Sequence, residues 1–201
     1  MTPHQVELLD HGTAFQGYFR IDRYHLRHER FAGGMSGPIV REVFERGQVA
    51  AVLPLDPRTR RVVLIEQFRA GAYARGWHPW LLECVAGVIE HGESAGSVAR
   101  RETTEEAGCV ITDLLPIAAP FLSSPGACTE TVSLFCGRVD AAAVGGIHGL
   151  VEEGEDIRVA SWTIDEALGL LESGRIVNAK TIIALQWLAL NRDRVLRAWG
   201  T

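Results

Sequence analysis

Three glutamates, Glu102, Glu105 and Glu106, lie near the end of a segment whose sequence predicts a helix. On a helix, Glu102 and Glu106 are one turn apart and face the same way, with Glu105 beside them. Like charges at this spacing cost about 0.2–0.5 kcal/mol per pair, and only Glu105 has a basic residue, Arg101, at a compensating position. Carboxylates that converge from one helix face suit Mg²⁺, which prefers a few carboxylates together with phosphate oxygens and water. For these three residues alone, a solvated charged stripe is the structural alternative.

The predicted helix has recognisable ends. Ser94 precedes it and is a residue type whose side chain caps the free N–H groups of a first turn. Gly108 follows Ala107 and suits the left-handed conformation in which many helices end. We therefore expect the helix to run to about Ala107 and to carry the glutamates on its last turns.

Short apolar segments on both sides of this helix predict strands. Before it, "PIVREVFER", "VAAVLPL", "RVVLIEQFR" and "WLLECVAG" are separated by glycine or by the turn-forming "DPRT". After it, "CVITDLLPIAAPF", "TETVSLFCGRV" and "IRVASWT" have the same character, with a loop over 140–156 before the last. Two helices complete the chain, one near 165–173 and one that begins at about residue 179, capped by Asn178. Together these elements indicate an α/β (α+β) sandwich with a mixed sheet.

The N-terminal segment alternates apolar with basic residues and shifts phase by one residue between Ile21 and Tyr24. This pattern predicts strands interrupted by a bulge or turn. The segment is too short for a hydrophobic core of its own. We expect residues 1–45 to form a β-rich dimerisation region of a homodimer and residues 46–201 to form the main domain.

The composition is that of an ordinary globular protein, with 47% hydrophobic and 22% charged residues. The net charge of −5 is concentrated, because residues 87–109 hold five acidic and two basic residues and residues 152–156 hold four acidic ones. This distribution favours cation binding and argues against a nucleic-acid partner. No apolar run approaches the roughly 20 residues of a membrane span, and the N-terminus lacks the order of a signal peptide. We therefore expect no membrane partner and a cytoplasmic location.

The pattern around the glutamates is more specific than the glutamates themselves. Gly87 is followed after five residues by Glu93, and after seven more by "RE" at 101–102. Two further residues separate this pair from "EE" at 105–106, and Gly108 closes the pattern. This spacing resembles the signature of the Nudix hydrolase family, which implies a Nudix α/β/α sandwich and a metal-dependent hydrolase.

The resemblance assigns roles to the residues of this signature. In the family it forms a loop, a helix and a second loop, and its glutamates hold divalent cations against a diphosphate. It implies that Glu102 and Glu106 bind metal with the backbone carbonyl of Ala86, and that Glu105 is a ligand or a near neighbour. Glu93 and Arg101 are implied to brace the loop against the helix. Gly87 and Gly108 are the structural residues at the two ends of the signature. The implied cofactor is Mg²⁺, with Mn²⁺ or another divalent cation as alternatives.

The resemblance extends over most of the chain. "EQFRAGAY", "LLECVAGVIEHGES", "LSSPG", "IHGLVEEGEDI" and "NAKTIIALQWLAL" are similar to the bacterial subfamily that hydrolyses the diphosphate of ADP-ribose to AMP and ribose 5-phosphate. Pro125, sixteen residues after Cys109, matches a proline that marks this subfamily. A plain turn is the structural alternative for "SSPG". The implied substrate contacts are Arg41, Arg69, Pro125, Gly126 and Glu130.

The acidic run "VEEGED" supplies a candidate general base. If Glu102 and Glu106 bind metal, water needs another carboxylate to accept its proton. The resemblance implies that Glu153 is this base and that Glu155 is a further metal ligand. A solvated acidic loop is the structural alternative.

Two other functions are compatible with the resemblance. One is hydrolysis of another nucleoside diphosphate sugar, such as GDP-mannose. The other is a sensor that binds ADP-ribose without cleaving it, a class that tends to lose the signature glutamates and to carry a basic DNA-binding domain. All of these glutamates are present here, and too little chain follows residue 163 for a separate domain, which favours the enzyme.

Overall fold

The computed structural model of the protein describes residues 5–200, except for the side chain of Glu153. The strands are β1 (Val6–Gln16), β2 (Arg20–His28), β3 (Ile39–Glu45), β4 (Gln48–Asp56), β5 (Arg61–Phe68), β6 (Trp80–Glu83), β7 (Val85–Val88), β8 (Asp113–Pro116), β9 (Phe121–Leu122), β10 (Thr131–Arg138), β11 (Gly146–His148) and β12 (Ile157–Thr163). The helices are α1 (Ala70–Ala74), α2 (Ala95–Ala107), α3 (Ile164–Glu172) and α4 (Ala179–Ala198), with a 3-10 turn at Val151–Glu153.

The chain divides into two compact units. The first contains the residues up to Gln48 together with Phe121–Thr131, and the second contains Val49–Pro120 and Val132–Thr201. The first unit therefore includes a short segment from within the predicted main domain of residues 46–201. The boundary that we expect between residues 45 and 46 stays a prediction.

An antiparallel sheet in the order β1-β2-β3 forms most of the first unit. The predicted irregularity exists, but it lies in β1, where the register shifts between Leu8 and Asp10 and between Thr13 and Phe15. The pairing of β2 with β3 is continuous through Ile21 and Tyr24, so the predicted bulge between those two residues is wrong. An edge strand such as β1 accommodates extra residues more readily than β2, which pairs on both sides.

The second unit is built on a large sheet in which β11, β12, β5, β4, β10 and β8 are successive neighbours. β6 also pairs with β5, and β7 also pairs with β4. The segment "WLLECVAG" is thus two strands and not the single strand predicted. Cys84, between them, donates its backbone N–H to the Thr181 hydroxyl at 2.8 Å, so it does not continue the ladder.

Both faces of this sheet are covered. Alternate residues on β4 and β5 pack in one buried cluster with Val98 and Ala99 of α2. Ala51 and Leu64, at the positions between them, are also fully buried and point to the opposite face. α3 packs against β12, β5 and α4 on the other side. The predicted α/β sandwich is confirmed.

Most of the remaining elements lie where the sequence places them. Asn178 caps α4 by accepting the N–H of Thr181, and α3 begins one residue before the predicted start. The region 140–156 is more ordered than the predicted loop, because it contains β11 and the 3-10 turn. Among the described helices, none has the length and apolar character required to cross a bilayer.

Candidate metal and diphosphate site

α2 holds the signature glutamates in the arrangement expected from their spacing. The Ser94 hydroxyl caps the helix by accepting the N–H of Ser97, and the Ser97 hydroxyl accepts the N–H of Ser94 in return. Gly108 ends the helix with φ of 63°, in the left-handed region. Both ends predicted from the sequence are therefore present.

Gly87 lies directly against the carboxylate of Glu102. A Cβ atom at position 87 would be 1.8 Å from Oε1 of Glu102, well inside van der Waals contact. Any larger residue would force the Glu102 side chain to move, so the first residue of the signature is coupled to a side chain fifteen residues later. The contact brings the Glu102 carboxylate beside β7.

Glu106 is the most buried of the signature glutamates, with 3% of its surface exposed. Its Oε2 accepts the backbone N–H of Ala86 at 3.2 Å, which places it beside the residue whose carbonyl is a candidate ligand. Burial, helped by the charges of Glu102 and Glu155, raises the pKa of Glu106 to about 8, against the lowering effects of the Ala86 N–H and Arg69. A buried carboxyl group with this pKa is mostly protonated at neutral pH, and a nearby positive charge favours the loss of its proton.

Arg101 links the glutamates that face it. Its Nη1 donates to Glu102 at 2.9 Å and to Glu105 at 3.0 Å, and its Nε lies 3.4 Å from Glu93. Glu93 also accepts the backbone N–H of Glu90, so Arg101 connects the loop before α2 to the helix. The sequence offered no local partner for Glu102, because a residue at i−1 does not normally face its neighbour on a helix. The long arginine side chain reaches it nonetheless.

Glu155 adds a fourth acidic group to this region. Its Oε2 accepts the N–H of Leu150 at 3.1 Å. Burial raises the pKa of Glu102, and the charges of Glu105 and Glu155 add to this effect while Arg101 opposes it. The segment that carries Glu155 is joined to α2 by a hydrogen bond from the Gly149 N–H to the Glu105 carbonyl. The side chain of Glu153 lies outside the described part of the structure, and its role stays a prediction.

The donor set fits a divalent cation of the Mg²⁺ type. Glu102, Glu106 and Glu155 are carboxylates. Burial raises the pKa of Glu102 and of Glu106, and the charge of Glu155 adds to the rise in both. Carboxylate and carbonyl oxygens are the ligands this ion takes. Within residues 5–200, leaving aside the Glu153 side chain, no three acidic, histidine or cysteine side chains already converge as a metal cluster. Arg101 draws Glu102 and Glu105 toward itself, so binding requires these side chains to turn.

Arg69 follows β5 and is the predicted phosphate contact in the second unit. Its charge acts on Glu106, so a guanidinium lies within electrostatic reach of the acidic group. Nε and Nη2 of Arg69 donate to Oε2 of Glu83 at 2.8 and 2.6 Å. Glu83 is not among the predicted site residues, although an acidic residue within the apolar segment "WLLECVAG" is a visible signal.

The remaining predicted substrate contacts lie in the first unit. Arg41 is on β3 and donates to the Val40 carbonyl. Pro125 and Gly126 lie in a turn that precedes two backbone hydrogen bonds between Phe44 and residues 127 and 129. Glu130 forms an ion pair with Arg46 at 3.8 Å. These residues are thus gathered along β3, and their contact with substrate stays a prediction.

Comparison with known proteins decides the family. The model of the NUDIX domain matches residues 45–185. The chain belongs to the NUDIX family. A protein of Escherichia coli (strain K12) named ADP-ribose pyrophosphatase is 47% identical over 98% of this chain and 94% of its own. The Haemophilus influenzae protein of the same name is 41% identical over 96% of this chain and 90% of its own.

More distant Nudix relatives carry a second name. A Cronobacter sakazakii protein named GDP-mannose pyrophosphatase is 36% identical over 92% of this chain and 95% of its own. A solved structure described as an ADP compounds hydrolase has a TM-score of 0.72, covers 98% of this chain and 96% of its own, and is 20% identical. This last similarity shows the fold. The prediction of a Nudix hydrolase is confirmed.

Proposed function

We propose that this Nudix enzyme hydrolyses the diphosphate of ADP-ribose to AMP and ribose 5-phosphate with Mg²⁺. The observation that carries the proposal is the arrangement of Glu102, Glu106 and Glu155 near Arg69. It offers carboxylates for cations and a guanidinium for phosphate in one region. The choice of ADP-ribose rests on the name of the relatives that are 47% and 41% identical.

Different residues are proposed to bind the metal, bind the phosphates and accept the proton. Glu102, Glu106 and the Ala86 carbonyl hold the cation, with Glu155 completing the set and Glu105 close beside it. When bound, a divalent cation neutralises the diphosphate and acidifies water. Arg69 binds and orients the phosphates through a rigid set of N–H donors. Glu153 accepts the proton of the attacking water.

Four residues that the resemblance implies as substrate contacts are proposed to recognise the rest of the substrate. Arg41 makes a second contact to the substrate, and Glu130, with the turn at Pro125 and Gly126, contacts the terminal ribose. Glu93 and Arg101 brace the loop before α2, which keeps the carboxylate of Glu102 in register with Gly87.

Hydrolysis of a substrate panel tests this proposal. Purified enzyme is incubated with ADP-ribose, GDP-mannose and other nucleoside diphosphate sugars, with Mg²⁺, with Mn²⁺ and with EDTA, and the products are separated. We expect AMP and ribose 5-phosphate from ADP-ribose, only with a divalent cation. Faster cleavage of GDP-mannose would replace the substrate assignment, and turnover in EDTA would contradict the metal assignment.

We also propose that the enzyme is a homodimer formed through residues 1–45. Every residue of β1 is exposed, and Val6, Leu8 and Phe15 are 67%, 58% and 60% exposed. An exposed apolar edge strand favours pairing or packing with another chain. Light scattering at micromolar concentration is expected to give a mass of about twice 22.0 kDa. A fully active monomer at that concentration would exclude this interface.

A further inference from the structure

Glu83 is a buried carboxylate at the end of β6, with 2% of its surface exposed. Its two oxygens have different partners. Oε2 accepts both hydrogen bonds from Arg69, and Oε1 accepts Nδ2 of Asn178 at 2.7 Å. Asn178 in turn caps α4. A rigid helix end therefore holds one oxygen, and the other holds Arg69.

This arrangement fixes the direction in which Arg69 points. A guanidinium has five N–H donors in one plane, and two of its three nitrogens are used on Glu83. The plane is thereby set before substrate arrives, and the donors that are left face away from β6. The Arg69 side chain is 39% exposed, so these donors remain accessible to a ligand.

We infer that Glu83 is a positioning residue for the substrate diphosphate and acts through Arg69. The inference rests on the proposed function, because it assigns Arg69 to the phosphates. Glu83 touches neither substrate nor metal. It reduces the freedom that Arg69 would lose on binding, which is the general advantage of a preorganised contact.

The chain contains a matched control. Glu66 is also a buried carboxylate that holds arginines, since it accepts hydrogen bonds from Arg158 and Arg175. It lies on the neighbouring strand, where Glu66 pairs with Leu82 and Ile65 pairs with Glu83. Neither of its arginine partners is a proposed site residue. Glu66→Gln therefore removes a similar buried charge without touching the proposed site.

A double-mutant cycle on ADP-ribose hydrolysis tests the inference. We expect Glu83→Gln to lower kcat/KM by about 10- to 100-fold, as loss of a hydrogen bond to a charged group does. In the Arg69→Ala background the same change is expected to have less than about a twofold effect, because the group through which it acts is gone. Glu66→Gln is expected to leave kcat/KM unchanged.

The outcomes are distinct. An equal loss in both backgrounds would mean that Glu83 supports the fold in general, and no loss in either would mean that Arg69 needs no support; each overturns the inference. A wild-type enzyme that does not cleave ADP-ribose would instead refute the proposed function.

A second variant covers the case in which Glu83→Gln does not fold. Asn178→Asp keeps a good helix cap but replaces the donor on Oε1 of Glu83 with a like charge. We expect a raised KM for ADP-ribose, a circular dichroism spectrum like that of the wild type, and no further rise in the Arg69→Ala background. An unchanged KM would contradict the inference independently of the first variant.

Discussion

Glu106→Gln lowers the turnover of ADP-ribose by about 10³-fold, an effect of the size seen when one group that stabilises the transition state is lost. The carboxylate is expected to bind the cation directly, and glutamine offers a weaker neutral ligand of the same shape. The fold should survive, because the change relieves repulsion with Glu102 and Glu155. Initial rates over a range of Mg²⁺ and circular dichroism measure the two effects. Loss of the folded spectrum would shift the explanation from metal binding to structure.

Although Glu106→Gln lowers turnover, it is expected to stabilise the fold of the metal-free protein at high pH. Burial raises the pKa of Glu106 from 4.5 to about 8, so the folded state binds its proton more tightly than the unfolded state. The contribution of protonated Glu106 to the free energy of unfolding is fully present below pH 4.5 and is lost as the pH rises toward 8. In EDTA at pH 9 we expect Glu106→Gln to melt a few degrees above the wild type, and below pH 4.5 the difference should vanish. Glu172→Gln, at an exposed position at the end of α3, should show neither effect.

Glu153→Gln lowers kcat by about 10²–10⁴-fold, the typical contribution of a general base, with little change in KM. The segment around Glu153 lies between Gly149 and Gly154, whose φ values are 99° and 72°, so the backbone there has conformations that other residues rarely adopt. Because the base accepts a proton and does not hold the cation, the dependence on Mg²⁺ should be unchanged. Stopped-time product assays at saturating ADP-ribose give kcat directly.

Variants of Glu152 and Glu155 distinguish a general base at Glu153 from a general effect of negative charge in this segment. Glu155→Gln is expected to shift activity to higher Mg²⁺, because Glu155 is a proposed ligand. Glu152→Gln, in the same 3-10 turn, should keep kcat within about twofold. If Glu153→Gln retains a near-normal kcat, the base lies elsewhere, and Glu152 and Glu155 are the next candidates.

The sequence predicted those parts of the fold that depend on neighbouring residues. The capped helix α2, the cap at Asn178 and the shared face of Glu102 and Glu106 all follow from spacings of a few residues. The break between β6 and β7 does not, because the hydrogen bond of Cys84 is made to Thr181, 97 residues later. The short strand β11 was missed for a related reason, since it is three residues long and is defined by its pairing with β12.

In the candidate site, too, features set by neighbouring residues could be predicted and contacts between distant residues could not. The carboxylates of α2 could be selected as a group because like charges at helical spacing stand out in a sequence, and their role as ligands stays a prediction. The protein partners of Arg69 were not foreseen. Arg69, which follows β5, donates hydrogen bonds to Glu83 at the end of β6. Glu83 also accepts a hydrogen bond from Asn178, 95 residues later in the chain. Contacts of this kind are set by the packing of the whole unit and leave no periodic signal.

The contact between Gly87 and Glu102 has a consequence for how the family diverges. Since the glutamate occupies the place of a Cβ atom at position 87, we expect the two positions to vary together among homologues. A lineage that loses the glutamate also loses the reason for the glycine, and residue 87 is then free to drift. Alanine or serine at that position would therefore mark, in an alignment of descendants, a homologue in which the carboxylate no longer sits against β7.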